Sequence, residues 1–244
     1  MEFEQVTEHI LRLQVPYSLL GPFSLPVALY LVRERDGWTL IDSGPPEAGD
    51  DVVAAIAAAT DEVGPDQILL THAHYDHSGG LGVIRQVWNV PLICHKDEAV
   101  FITGQSGYRL LSSRNLFFVL GRYLVPPTGW GYEVNRMLER GESVAGMVVI
   151  SLPGHSPGQV GFLHSTDRAI LCGDAVMNLN GRLSPPSRWL TVDPDLALQS
   201  MERLAELDFL HLLPSHGDPI LENGRRALRQ HLGLGQEQDL LGRW

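Results

Sequence analysis

Lysine is nearly absent from this chain of 244 residues. Lys96 is the only lysine, and the other positively charged side chains are arginines, which cannot act as a catalytic base or a Schiff-base amine. Positive charge is scarce overall, since the formal net charge is −11 at pH 7. An acidic surface repels phosphate backbones, so no nucleic-acid partner is expected.

Cysteine and long apolar runs are scarce as well. Cys94 and Cys172 each lie in a short apolar run, which predicts two reduced, buried thiols. The longest apolar runs, such as LPVALYLV at 25–32, have the length of a strand and fall short of the roughly 20 residues that span a bilayer, so no membrane partner is expected. The acidic start MEFEQVTEHI lacks the basic residues of a secretory signal. This favours the cytoplasm, although a mature exported protein would lack a signal too.

The rest of the composition is that of a folded protein, with 44% apolar and 19% charged residues. LPVALYLVRERDGWTLIDSG predicts two strands around a turn at 35–37, and PPEAGDDVVAAIAAAT predicts a helix. QILLTHAH and VPLICH predict buried strands, with a helix at LGVIRQVW between them. This order indicates layered α/β packing, and we interpret 1–244 as a single domain.

Segment 101–147 interrupts this alternation. It contains five arginines and three glutamates, so it is locally basic in an acidic protein. We predict a helical insertion here, which either covers part of the core or forms a lid over a pocket. After it, strands are predicted at MVVISLPG, GQVGFLHS, RAILCGDAV and FLHLLPSHGDP, and a helix within TVDPDLALQSMERLAELD is predicted to have Asp193 as its N-cap and Pro194 at its first position.

The sequence THAHYDHSGG at 71–80 places four strong metal ligands directly after a buried strand. In an extended backbone His72 and His74 project to the same side, and Asp76 and His77 follow at the next bend. The two glycines that follow are expected to let the backbone turn without a clash of Cβ atoms. Core packing has no use for four such polar side chains in six positions, so the pattern indicates a metal site.

Three further candidate ligands, His155, Asp174 and His216, each come directly after an apolar, strand-like run. Imidazoles and carboxylates suit Zn²⁺, Mn²⁺ or Fe²⁺. Seven ligands are too many for one tetrahedral zinc, but they fit two ions that share a carboxylate and a water molecule. We therefore predict two divalent ions, with zinc favoured and manganese or iron as alternatives. The remaining histidines are expected to be ordinary core or surface residues: His9, His95, His164, His211 and His231.

The motifs THAHYDH, GHSPG, GDAV and SHGD resemble, in their order and intervals, those of the metallo-β-lactamase superfamily. The resemblance extends from about Val27 to Pro219. It implies a four-layer αβ/βα sandwich with the site at one edge, between two sheets. It assigns ligands to a first metal (His72, His74, His155), to a second metal (Asp76, His77, His216) and to a bridging position (Asp174). Asp42, in LIDSG, matches a family position that is expected to support the ligands or the fold.

The superfamily contains several activities, and this sequence departs from the patterns of some of them. β-Lactamases of this fold generally lack the bridging aspartate, and flavodiiron proteins usually have glutamate where this chain has His74. Glyoxalase II shares the ligand set, but it holds glutathione with a basic C-terminal region, whereas only about 25 residues follow SHGDP here and none is lysine. Acyl-homoserine lactonases often have a tyrosine three positions after the bridging aspartate, where this chain has Met177.

We therefore predict a dinuclear metal-dependent hydrolase that cleaves an ester, thioester or lactone. A metal-bridging hydroxide would attack the carbonyl carbon, and Asp76 would orient it and carry a proton to the leaving group. One alternative on the same fold is a mononuclear iron sulfur dioxygenase that acts on a persulfide. A phosphodiesterase or RNA-processing member is a further alternative, which the acidic charge disfavours, and a non-catalytic member would be expected to lack some ligands.

The substrate is expected to be a small molecule, and the residues around it are less well specified by the sequence. The candidate substrate-binding residues are Phe23, Tyr108, Arg109, Met177 and Trp189. Three arginines either face an anionic group or lie on a solvated helix surface: Arg109, Arg114 and Arg122. A tyrosine elsewhere could stabilise the oxyanion in place of the missing phenol, the candidates being Tyr17, Tyr108, Tyr123 and Tyr132. The sequence does not predict the oligomeric state.

Overall fold

Two β-sheets lie face to face, with helices on both outer sides, in the computed structural model of this chain. The structure describes residues 1–20, 23–34, 37–123 and 129–235, and it describes only the backbone of 19–20 and 23–24. Positions 35 and 36 of the predicted turn at 35–37 lie outside the described residues.

The elements follow one another along the chain as the sequence predicts in outline. The strands are β1 (Glu4–Gln5), β2 (Ile10–Val15), β3 (Ser18–Leu20), β4 (Phe23–Ser24), β5 (Val27–Glu34), β6 (Gly37–Ile41), β7 (Gln67–Leu69), β8 (Leu92–His95), β9 (Arg136–Leu138), β10 (Ser143–Val144), β11 (Met147–Ser151), β12 (Val160–His164), β13 (Ala169–Gly173), β14 (Met177–Leu179), β15 (Arg182–Ser184) and β16 (His211–Pro214). The α-helices are α1 (Gly49–Ala59), α2 (Tyr75–Ser78), α3 (Leu81–Val87), α4 (Lys96–Ile102), α5 (Leu116–Gly121), α6 (Pro194–Leu204) and α7 (Gly224–His231). Two short 3₁₀ helices lie at Pro46–Ala48 and Tyr108–Leu110.

The larger sheet has the strand order β1-β2-β5-β6-β7-β8-β9, antiparallel up to β6 and parallel from β6 to β9. The smaller sheet has the order β10-β11-β12-β13-β16, and only its β13–β16 pair is parallel. Parallel neighbours need a crossover, and α1, α3 and α6 supply three of them. The carboxyl ends of these parallel strands therefore meet at one edge of the sandwich.

Three apolar clusters separate four layers. Strand β5 shows the principle, because successive side chains of a strand point to opposite faces. Val27, Leu29 and Leu31 pack with residues of α1 and α3 on the outer face, whereas Ala28 and Tyr30 lie in the cluster between the sheets. A third cluster joins the outer face of the smaller sheet to α6 and α7. The arrangement is the predicted αβ/βα sandwich.

Two local predictions, on the start of α6 and on the two cysteines, are confirmed. Asp193 is the N-cap of α6, since its carboxylate accepts the Leu196 amide at 3.0 Å, and Pro194 occupies the first helical position. Cys94 and Cys172 are both buried and unpaired.

Among its described residues, segment 101–147 is helical only in its first part. After the end of α4 it contains the 3₁₀ turn Tyr108–Leu110 and α5, and then it runs into β9 and β10, which are edge strands of the two sheets. The predicted helical insertion is thus confined to the residues before β9. Among the described residues, no helix is long and apolar enough to cross a bilayer.

Hydrogen bonds between the sheets close the edge at which the parallel strands end. The Ala28 amide donates to Ser215 O at 2.7 Å, and the Val160 amide donates to Thr71 O at 2.9 Å. Both acceptors belong to loops that carry predicted ligands. The loops after β7 and β16 are thereby each tied to a strand of the opposite sheet.

Candidate metal centre

Three histidines from two loops form the first ligand set. Nδ1 of His74 lies 3.1 Å from Nε2 of His72 and 2.9 Å from Nε2 of His155. A zinc ion with bonds of 2.0–2.1 Å to nitrogen would separate tetrahedral ligands by about 3.3 Å. The three nitrogens are therefore close to the positions that one ion requires.

A second set lies beside it. Oδ2 of Asp76 is 3.3 Å from Nε2 of His216 and 3.8 Å from Nε2 of His77. The ligand atoms of these three buried residues all lie within 4.8 Å of one another. Asp76 and His77 belong to the short helix α2, whereas His216 follows β16 in the other sheet.

Asp174 lies between the two sets. Its Oδ2 is 3.4 Å from Nε2 of His155 in the first set and 3.4 Å from Nε2 of His216 in the second, and its Oδ1 is 3.4 Å from Nε2 of His77. One carboxylate thus faces both sets. The structure brings all seven predicted ligands together.

The ring nitrogens that do not face the centre are held by neighbouring groups. Nδ1 of His77 lies 2.8 Å from Oδ2 of Asp42, and Nδ1 of His72 lies 3.0 Å from the Thr71 hydroxyl. His155 is held in the same way by the Thr191 hydroxyl at 3.2 Å, and His216 donates to the carbonyl of Pro26 at 3.0 Å. Contacts of this kind orient the rings of metal-binding histidines. The predicted supporting role of Asp42 has a direct geometric basis here.

Two buried atoms show why the centre suits a cation. Nε2 of His77 and Oδ1 of Asp174 are both inaccessible and have no hydrogen-bond partner among the described residues, although they lie 3.4 Å apart. A buried polar atom without a partner is costly. A metal ion between the two sets would satisfy both atoms, so the residues present fit the predicted ions.

The charge states agree with this assignment. Burial lowers the pKa of His72 and His74 well below its usual value, and it lowers the pKa of His155 to about 4, so the first set is neutral as metal binding requires. Burial opposes the charged form of His77 too, but the carboxylates of Asp174, Asp76 and Asp42 raise its pKa to about 9. The second set therefore holds a positive charge when no ion is bound.

The two glycines after the ligand motif are required for close packing. Gly79 and Gly80 have helical φ values of −69° and −75°, so neither adopts a conformation that other residues avoid. A Cβ at Gly80 would lie 2.1 Å from Ser43 O, and one at Gly79 would lie 2.2 Å from Cδ of Pro46. They allow α2 to approach the loop after β6, which carries Asp42.

Glu98, on α4, ties the two histidine loops together, and the sequence gives no sign of this role. It is fully buried, and its carboxylate accepts the amides of Ala73 at 2.9 Å and Gly158 at 2.7 Å. Ala73 lies between two ligands, and Gly158 lies three positions after His155. The Tyr108 hydroxyl donates a third hydrogen bond, of 2.5 Å, to the same carboxylate. Glu98 therefore fixes the first ligand set from behind.

A cavity opens onto the metal centre. Five of the seven ligands line it and form its polar floor: His74, Asp76, His155, Asp174 and His216. Its walls are mostly apolar, and they are formed by Tyr17, Leu25, Tyr75, Tyr108, Phe118, Met177, Pro186 and Leu190. Arg109 and Arg122 also line it.

The predicted substrate-binding residues fall into three groups. Tyr108, Arg109 and Met177 line the cavity. Trp189 does not, because its side chain is 44% exposed and packs edge-on against Phe117 at 5.1 Å. The side chain of Phe23 lies outside the described residues.

The candidate tyrosines also differ in position. The Tyr108 hydroxyl is engaged by Glu98, and its ring lies 4.5 Å from that of His74, so it serves as a wall. Tyr17 lines the cavity and is 8% exposed, and burial together with the charge of Asp76 raises the pKa of its phenol. Tyr123 is 62% exposed, and neither it nor Tyr132 lines the cavity.

Known proteins show similarity to most of the chain. A sequence model of the metallo-beta-lactamase superfamily matches residues 24–216. The probable metallo-hydrolase YybB of Bacillus subtilis is 29% identical over 223 residues, which is 91% of this chain and 94% of YybB. An N-acyl homoserine lactonase of Bacillus thuringiensis is 26% identical over 216 residues, which covers 75% of this chain and 77% of the lactonase. The crystal structure of TTHA1623 in a di-iron-bound form superposes with a TM-score of 0.63 at 28% identity, covering 86% of this chain and 96% of TTHA1623.

Proposed function

Because this chain belongs to the metallo-beta-lactamase superfamily, we propose that it is a dinuclear metal-dependent hydrolase that cleaves a small-molecule ester, thioester or lactone. The observation that carries the proposal is the position of Asp174, 3.4 Å from a histidine of each ligand set. The lactonase relative supports an acyl substrate, and the di-iron form of TTHA1623 supports two ions. Zinc is the first candidate metal, with manganese and iron as alternatives.

The two ligand sets have complementary roles in this proposal. Two bound divalent ions would supply an activated water molecule and an electrophilic site for the carbonyl oxygen. Asp174 holds the sets together, so that water and carbonyl carbon meet at a fixed separation. Asp42, Thr71 and Glu98 keep the histidines in place, which limits reorganisation during the reaction.

Asp76 moves the proton. Its side chain is the most exposed of the ligand carboxylates, at 12% against 7% for Asp174, and it lines the cavity. As water attacks the carbonyl carbon, Asp76 accepts its proton; as the bond from carbon to oxygen or sulfur breaks, it returns that proton to the leaving alkoxide or thiolate. In the metal-free protein His77 and His216 outweigh burial and lower the pKa of its carboxylate to about 2, so Asp76 is already ionised when it meets the ions.

Metal content and substrate class test the proposal together. The protein is purified without added metal, its metal content is measured, and it is assayed with esters, thioesters and lactones. About two ions per chain together with acyl hydrolysis is the expected result. About one iron per chain with oxygen uptake on a persulfide would favour the sulfur dioxygenase instead. Cleavage of bis(4-nitrophenyl) phosphate without acyl hydrolysis would favour the phosphodiesterase.

A further inference from the structure

Two arginines, Arg109 and Arg122, lie in the wall of the cavity. We propose that the substrate carries a carboxylate, in addition to the bond that is cleaved, and that Arg122 binds this carboxylate. The inference rests on the proposed function for the reacting group only. The subsite itself belongs to segment 101–123.

Arg122 is held in place but is not fully satisfied. It is the C-cap residue of α5, and its Nη1 donates to the carbonyl of Leu111 at 3.0 Å. Its Nε is buried and has no hydrogen-bond partner among the described residues, and the guanidinium forms no ion pair with any of them. A buried donor without an acceptor is costly, so an acceptor from outside the chain that reaches this edge of the guanidinium would be stabilised.

The orientation favours a planar anion. Because Nη1 is committed to Leu111, the edge formed by Nε and Nη2 remains for a ligand. Two parallel N–H groups on one edge match the two oxygens of a carboxylate, and such bidentate pairs are among the stronger hydrogen bonds in proteins. The chemical class recognised here is therefore a carboxylate.

The surroundings strengthen the attraction. Arg109 also lines the cavity, and Cζ of Arg109 and of Arg122 lie 5.6 Å and 5.4 Å from the centre of the same Tyr123 ring. Residues 101–132 contain three arginines and no acidic residue, in a chain whose net charge is −11. This wall is thus a local positive region in a protein that otherwise repels anions.

The wall between the arginines and the metal centre defines the rest of the ligand. Leu25, Phe118, Met177 and Leu190 face the cavity and provide no charge. A ligand that spans the cavity needs an acyl group at the metal end, an apolar middle and a carboxylate at Arg122. Half-esters, half-thioesters and carboxylated lactones with a short hydrocarbon linker meet this description.

The test begins with binding, which needs no turnover. Calorimetric titration of the metal-loaded protein compares saturated monocarboxylates with dicarboxylates of the same chain length, from four to ten carbons. At the length that fits, the dicarboxylate is expected to bind about 10- to 100-fold more tightly than the monocarboxylate, because it gains a charge-assisted pair. This difference in affinity exceeds the factor of two that a dicarboxylate gains simply because it has two equivalent ends that can bind. Equal affinities at every length would overturn the proposal without any variant.

Variants then locate the subsite. Arg122→Gln is expected to remove the advantage of the dicarboxylate and to leave monocarboxylate binding unchanged, whereas Arg122→Lys should retain part of it. Arg114→Gln is the matched control, because Arg114 belongs to the same segment and does not line the cavity. Retention of the full dicarboxylate advantage in a folded, metal-loaded Arg122→Gln protein would contradict the assignment to Arg122.

Kinetics separates this inference from the proposed function. With a thioester of thioglycolate and the matched neutral thioester of 2-mercaptoethanol, Arg122→Gln should raise KM for the first substrate only. Absence of acyl hydrolysis together with an intact dicarboxylate advantage would refute the hydrolase and leave the subsite standing. Acyl hydrolysis that Arg122→Gln does not change, together with an unchanged dicarboxylate advantage in that variant, would refute the subsite and leave the hydrolase standing.

Discussion

The Asp42 carboxylate lies 2.8 Å from Nδ1 of His77 and thereby turns Nε2 of that ring toward Asp174, 3.4 Å away. The same carboxylate accepts the amide and the hydroxyl of Thr71, each at 2.8 Å. Asp42 adopts a left-handed φ of 61°, which asparagine tolerates well. An Asp42→Asn substitution therefore changes the charge and the hydrogen bonds with little change in shape.

We expect Asp42→Asn to weaken metal binding about 10- to 100-fold, as loss of a ligand's supporting carboxylate usually does. Competition with a chromophoric chelator measures this affinity. Asp66→Asn is the matched control, because Asp66 also accepts a backbone amide, from Trp38 at 2.8 Å, but at the start of β6 and not at its carboxyl end. Equal metal affinities of the two variants would show that Asp42 does not support the centre.

Replacing Asp76 with alanine should separate chemistry from folding. The variant loses the group that handles the proton and one ligand of the second set, so kcat should fall by about 10²–10⁴-fold or more. Far-UV circular dichroism should remain that of the wild type, because Asp76 contributes to none of the three apolar clusters. Asp195→Asn, on the exposed face of α6, serves as the control. Turnover similar to that of the wild type would refute the proposed mechanism.

Tyr108→Phe tests the assignment of Tyr108 as a wall. The substitution keeps the ring beside His74 and removes the hydroxyl that donates to Glu98. Loss of one buried hydrogen bond should cost about 1 kcal/mol, or roughly 2–4 °C in Tm for a chain of this size. The value of kcat should change little, since the hydroxyl faces Glu98. A loss of turnover without a loss of stability would instead indicate that this phenol acts on the substrate.

A second histidine cluster, remote from the metal centre, makes stability depend on pH. Asp167 accepts hydrogen bonds from Thr7 and from the amide of His9 at 3.0 Å, and its Oδ1 lies 2.6 Å from Nδ1 of His9. His164 and Glu34, 2.9 Å apart, lie beside it. The hydrogen bond that the His9 ring donates to Asp167 raises the pKa of His9, and the bonds from Thr7 and His9 outweigh burial and lower the pKa of Asp167.

The directions of these two pKa shifts determine the pH range in which each group stabilises the fold. A raised pKa of His9 stabilises the fold fully below about 6.5, its unfolded value, and this contribution is lost as the pH rises through the folded value. A lowered pKa of Asp167 stabilises the fold above about 3.9 and is lost as the pH falls. Asp167→Asn should therefore lower Tm more at pH 5.5 than at pH 8.5, measured on metal-free protein. In a His9→Asn background the pH dependence of the effect should largely disappear.

The ligands could be predicted from the sequence because each is chemically unexpected at its position. His72, Asp174 and His216 follow apolar strands, and strand ends at one sheet edge meet in space. Glu98 could not be predicted in this way. An acidic residue in the first turn of a helix already has an explanation in the helix dipole, and the amides that Glu98 binds lie 25 and 60 positions away.

Short edge strands were equally hard to predict. Arg136–Leu138 and Ser143–Val144 have three and two residues, which is too few for an alternating pattern to appear. Their strand conformation is imposed by pairing with β8 and β11, which the local sequence cannot reveal. The exposed position of Trp189 could not be predicted either. A large aromatic residue is usually expected to be buried, and the contact of Trp189 with Phe117 becomes visible only in the folded structure.

The first ligand set also joins distant parts of the chain. Donor atoms of His74 and His155 lie 2.9 Å apart although the residues are separated by 81 positions, and they come from loops on different sheets. Neither cysteine of this chain forms a disulfide bond. An ion bound by both histidines would close a long loop between the two halves of the sandwich, as a covalent cross-link does, and would raise the free energy of unfolding of the whole protein with the logarithm of its affinity.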